Sequence, residues 1–98
     1  MAAMSMQRVI VHGRVQGVNF RSFVMDKAIA LDVEGWVRNL PDGTVEAFFS
    51  GPQSQVVAMV ESCRTGPRFA HVTKVDMLRA SSEDLRLRRP GERFSRLG

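Results

Sequence analysis

At 98 residues the chain has room for one modest hydrophobic core but not for two. A hydrophobic content of 44% argues against disorder, and no apolar run is long enough for a membrane-spanning helix or a signal peptide, so a cytoplasmic protein is the expectation. A formal net charge of +4 with a single cysteine favours anionic ligands and excludes an internal disulfide or a cysteine-rich metal site.

Taken in order, the chain reads as one domain over residues 1–98, with a flexible start at 1–5 and a basic tail at 90–98. Met6 to His12 alternates as a strand with Val9 and Val11 on one face. Phe20, Phe23, Val24, Ala28 and Leu31 recur at helical spacing and form one apolar stripe, which Asp32 ends. Glu34 to Leu40 and Thr44 to Ser50 read as two strands around Pro41-Asp42-Gly43, a turn in which proline presets its φ and glycine accepts a positive one. Trp36 and Phe48 fall on the face opposite Val37, Val45, Ala47 and Phe49. Gly51-Pro52 breaks the strand. Val56, Met59, Val60 and Cys63 then mark a second helix from Gln53 to Arg64. Val72 to Leu78 is a fourth strand. Beyond Ala80 the pattern weakens. Leu85 and Leu87 alternate with arginines as a possible fifth, C-terminal edge strand, and Glu92 to Gly98 reads as a frayed end. The order β-α-β-β-α-β, with two right-handed crossovers, is an α+β ferredoxin-like sandwich: two helices on one face of an antiparallel sheet.

Within that order one stretch carries chemistry. Gly13-Arg14-Val15-Gln16-Gly17-Val18-Asn19-Phe20-Arg21 runs from a strand into a helix. Its two glycines allow a tight bend with exposed N–H groups, and a helix N-terminus favours an anion. Arg21 sits at the helix start, where its guanidinium can grip the same anion bidentately. The stretch is not a Walker loop, because no Gly-Lys-Ser/Thr follows. Asn39 stands at the end of the second strand, where asparagine is unusual. Two readings of it stay open: its side chain caps the hairpin turn, or its amide holds a water or a phosphate oxygen. His12 falls on the face away from the core, as a solvated strand-end residue. Cys63 lies in an apolar stripe and reads as core. His12 and His71 are too far apart to argue for a metal. Ser22 has no visible partners for a triad. Phosphoryl chemistry here therefore rests on positioning and charge stabilisation.

The nine-residue stretch closely resembles the acylphosphatase signature G-[RK]-V-Q-G-V-x-F-R. Gly35-Trp36-Val37-Arg38-Asn39 is similar to that family's second signature. The likeness runs from about Met6 to about Leu78. It implies a hydrolase that splits a small-molecule acyl phosphate into a carboxylate and inorganic phosphate, without metal or cofactor. Carried over, Arg21 is the phosphate-binding catalytic arginine and Asn39 orients the attacking water. Backbone N–H groups from Gln16, Gly17, Val18, Asn19 and Phe20 cradle the phosphate. The chain departs from the family at Asp32, where glycine often ends the helix. It also departs at Leu85-Arg86-Leu87-Arg88, where family members usually finish on an aromatic-containing edge strand.

The competing reading is a nucleic-acid-binding module that uses the basic tail and an open sheet face, with Trp36 and Phe48 stacking on bases. Strand three, Thr44-Val45-Glu46-Ala47-Phe48-Phe49, lacks the aromatic RNA-recognition sequence, so nucleic acid is the weaker expectation. A monomer is expected from the mixed surface.

Overall fold

The computed structural model describes residues 3–98. Its elements are β1 (Met4–Arg14), α1 (Phe20–Ala30), β2 (Glu34–Asn39), β3 (Val45–Pro52), α2 (Gln53–Thr65), β4 (His71–Leu78), a 3₁₀ segment (Ser82–Leu87) and β5 (Phe94–Arg96). The five strands form one sheet in the order β4-β1-β3-β2-β5. The ferredoxin-like order of the first six elements is as expected. The expected flexible start lies partly on residues 1 and 2, outside the described residues, whereas Met4 and Ser5 belong to β1.

Period-two alternation explains the two faces of the sheet. Val9, Val11, Val37, Val45, Ala47 and Phe49 turn inward and meet Phe20, Val24 and Ala28 of α1 and Val56, Met59, Val60 and Cys63 of α2. The opposite face carries a buried charge: Glu46 is 4% exposed and is paired with Arg8 at 2.8 Å and Arg38 at 2.7 Å. His12 lies on that face and its Nε2 meets Asp76 Oδ2 at 2.8 Å.

The C-terminal third corrects the sequence reading. Leu85 and Leu87 lie in the 3₁₀ segment and not in a strand. Asp84 is the reason: its Oδ2 accepts the Ser81 N–H at 2.9 Å, and its own N–H reaches the Ser81 carbonyl at 3.0 Å. That reciprocal pair starts a helical turn, and the Leu-Arg alternation after it only imitates a strand. The fifth strand is formed instead by the stretch expected to fray. Phe94 is buried and stacks on Phe49 at 6.2 Å, so the aromatic edge strand is present about ten residues later than expected. β5 runs parallel to β2, pairing Gly35 with Phe94 and Val37 with Arg96; the sheet is mixed, not wholly antiparallel.

The 3₁₀ segment also covers the face that was expected to be open. Trp36 and Phe48 stack at 6.1 Å with neither exposed, and the Trp36 Nε1–H donates to the Asp84 carbonyl at 2.6 Å. These aromatics cannot receive a nucleic-acid base.

Candidate active site

The β1–α1 loop, the end of β2 and the end of β5 meet at one cleft of about 180 Å³. Val15, Gly17, Asn19 and Phe20 line it from the loop and helix entry, Arg21 and Ser22 from the first turn of α1, Asn39 from β2 and Arg96 from β5. Residues more than fifty positions apart reach one space because β5 lies beside β2, with Leu97 N–H bonded to the Val37 carbonyl at 2.8 Å.

The loop is built to leave donors unused. Gly17 has φ +73°, a conformation that glycine adopts at no steric cost, and a side chain there would meet only open space. Asn19 also lies in the left-handed region, at φ 64° and ψ 27°, as the N-cap of α1, yet its side chain makes no capping hydrogen bond. Asparagine at an N-cap ordinarily satisfies one of the first-turn N–H groups; here it does not. No acidic residue lies in the first turn, so the positive end of the helix dipole has no carboxylate of its own. Among the described residues, no N–H from Val15 to Asn19 has a backbone acceptor in a turn or loop.

Gly13 plays a different part from the one expected. It belongs to β1, at an irregularity in the pairing with β4, and an added Cβ would lie 2.1 Å from the His71 carbonyl oxygen. It lets two strands approach and does not shape the cradle.

Arg21 points across the cleft, where one of its Nη atoms donates to the Leu97 carbonyl at 2.6 Å. That neutral acceptor fixes the guanidinium without neutralising it. No carboxylate lies among the lining residues, so the positive charge is available to an anion.

Asn39 distinguishes the two readings left open by its position. The turn is closed by other groups: Asp42 Oδ1 accepts the Thr44 N–H at 3.0 Å and the Thr44 hydroxyl at 2.6 Å. Asn39 Oδ1 is buried and has no hydrogen-bond partner, which normally costs free energy. It is not the turn cap.

Of the five expected cradle residues, Gly17, Asn19 and Phe20 line the cleft, whereas Gln16 and Val18 do not. Val18 packs against the core. Gln16 uses its side chain, and Nε2 donates to the Leu40 carbonyl at 2.8 Å and the Thr44 carbonyl at 2.9 Å. Both amide hydrogens are spent on the hairpin that carries Asn39, so the loop and Asn39 are held in fixed relation. Sequence spacing gives no sign of this long-range pairing, nor of the approach of Arg96 and Leu97.

The remaining titratable groups stay outside. Burial pushes the Cys63 thiol up to about 12, which keeps it protonated and unreactive near neutral pH. Among the described residues, no three His, Cys, Asp or Glu side chains gather as metal ligands, and no helix is long and apolar enough to cross a membrane.

Known proteins are similar to this chain in sequence and in architecture. The acylphosphatase family model matches residues 7–94. An acylphosphatase of Rhodopseudomonas palustris (strain BisB18) is 55% identical over 91 residues, covering 93% of this chain and 92% of the relative. The crystal structure of acylphosphatase from Bacillus subtilis superposes with a TM-score of 0.82 at 35% identity, covering 98% of this chain and all of that one. The structure of an acylphosphatase from Coxiella burnetii does so with a TM-score of 0.83 at 33% identity, covering 96% and 93%. With a cleft at the two signature blocks and likeness along nearly the whole length, the chain belongs to the acylphosphatase family.

Proposed function

We propose that this cleft hydrolyses acyl phosphates, with Arg21 and the loop N–H groups holding the phosphate and Asn39 orienting the attacking water. The observation that carries the reading is the unpartnered, buried Oδ1 of Asn39 in the same cleft as Arg21. An Asn39 side chain that the hairpin turn does not use is free to hold a water beside a bound phosphate, near phosphorus.

The chemistry needs little else. A carboxylate is a good leaving group, so a strong general acid is unnecessary. Water oxygen bonds to phosphorus, the acyl oxygen–phosphorus bond breaks, and the carboxylate leaves with the electron pair. One water proton is lost, and the phosphate oxygens are the basic groups nearest to receive it. Charge on the equatorial oxygens must be stabilised throughout, which is work for a planar guanidinium and fixed N–H dipoles. Gln16 acts as a positioning residue, because it ties the loop to the hairpin of Asn39.

The test is turnover of benzoyl phosphate in excess chelator by the wild type, Arg21→Ala and Asn39→Ala. Rapid wild-type turnover with a loss of roughly 100-fold or more in each variant is expected, the scale of removing one oxyanion donor. Near-normal turnover in either folded variant would remove that residue's role.

A further inference from the structure

Arg96 is a second cation of the cleft, and neither signature block contains it. It follows the buried Phe94 and Ser95 on β5. Strand alternation puts its side chain on the same side as Phe94, toward α1. There its Nη1 donates to the Ser22 hydroxyl at 2.7 Å. Its own carbonyl accepts from Arg89 Nη1 at 2.7 Å, and its strand is held to β2 at Val37. Backbone and side chain are thus both placed. A hydroxyl is a neutral acceptor that uses one of five guanidinium donors. Among the described residues, every ion pair of the other C-terminal arginines goes to Asp32 or Glu34, and Arg96 has none.

Two guanidinium groups therefore share a cleft with no lining carboxylate. Neither is paired with a carboxylate among the described residues, so both are open to anions. One phosphate gripped by Arg21 and the loop can occupy the helix entry. Arg96 contacts Ser22, one residue beyond Arg21, and is exposed at the cleft rim, within the space open to a group that such a phosphate carries.

We infer that Arg96 reads the acyl half of the substrate, favouring acyl phosphates whose acyl group bears an anionic group of its own. The inference rests on Arg21 being the phosphate anchor. Arg96 is here a specificity residue; its contact is with the part of the substrate that leaves.

The test compares kcat/KM for benzoyl phosphate and 3-carboxybenzoyl phosphate, which differ in one carboxylate. The ratio of the second to the first should fall about two- to fivefold from wild type to Arg96→Gln, the size of one exposed ion pair. Arg96→Lys should keep much of it, because a point charge suffices for a carboxylate at the rim. High salt should shrink the wild-type ratio more than that of Arg96→Gln. An unchanged ratio in Arg96→Gln would overturn the inference, as would an equal loss on both substrates. Arg21→Ala in the same panel separates the two readings. If it is inactive while Arg96→Gln leaves the ratio unchanged, only the acyl-half reading fails. If Arg21→Ala turns over normally, the anchor fails and the inference falls with it.

Discussion

A single donor geometry separates Arg21 from any other cation at its position. Its guanidinium spends one N–H on the Leu97 carbonyl at 2.6 Å and keeps its other donors for the cleft. Arg21→Ala should lose roughly 3 kcal/mol or more of transition-state stabilisation. Arg21→Lys should recover little of it in kcat/KM, because lysine cannot make the planar fork. Turnover of Arg21→Lys within a few-fold of wild type would show that charge alone is enough. Gln16 gives a different signature. Gln16→Leu removes two hydrogen bonds to the Leu40 and Thr44 carbonyls, each of which keeps a backbone N–H partner, and at about 0.5–1.5 kcal/mol apiece should cost about 1–3 kcal/mol in denaturant unfolding. It should also lower activity, because the loop is freed from the Asn39 hairpin. Asp42 sets a pH dependence. Its two contacts from Thr44 hold its carboxyl below the usual carboxylate range. A depressed folded pKa stabilises above the unfolded value and is lost as pH falls through the folded one. The Tm advantage of wild type over Asp42→Asn should therefore be present near neutral pH and shrink below about pH 4; a difference flat with pH would contradict it. Arg21 and Asn39 were legible because loop composition and strand end point to them. The work of the Gln16 side chain was not, since its partners lie 24 and 28 positions away.

Element ends explain where sequence reading held and where it failed. Helical and alternating periodicities marked both helices and the first four strands because each runs six residues or more, long enough for a period to show. β5 has three residues, too few for a period to show, and it is held by Phe94 stacking and by β2. The 3₁₀ segment alternates like a strand but is started by Asp84. The end of α1 was legible and is also a weak point. Asp32 takes φ 55°, and its N–H reaches the Ile29 carbonyl at 3.2 Å while the Val33 N–H reaches the Ala28 carbonyl at 2.9 Å. This is a Schellman end with a residue that has a Cβ where glycine is preferred. Asp32→Gly should stabilise by about 0.5–1 kcal/mol, since its ion pair with Arg93 is exposed and contributes little. A lower Tm would show that the pair matters more than the strain.

For the molecule as a whole, the fold brings three distant pieces of chain to one cleft and leaves it positive. Inorganic phosphate, the reaction product, should bind the folded state and not the unfolded one. At ten times its Kd it should add about 1.4 kcal/mol and raise Tm by several degrees. The most direct measurement of the division of labour is phosphate affinity by calorimetry beside kcat for benzoyl phosphate, in wild type, Arg21→Ala and Asn39→Ala. Arg21→Ala should lose both. Asn39→Ala should keep phosphate affinity within a few-fold while kcat falls by roughly 100-fold or more, as expected of a residue that orients water and not phosphate. An Asn39→Ala enzyme with wild-type kcat, or an Arg21→Ala enzyme with wild-type phosphate affinity, would contradict the assignment.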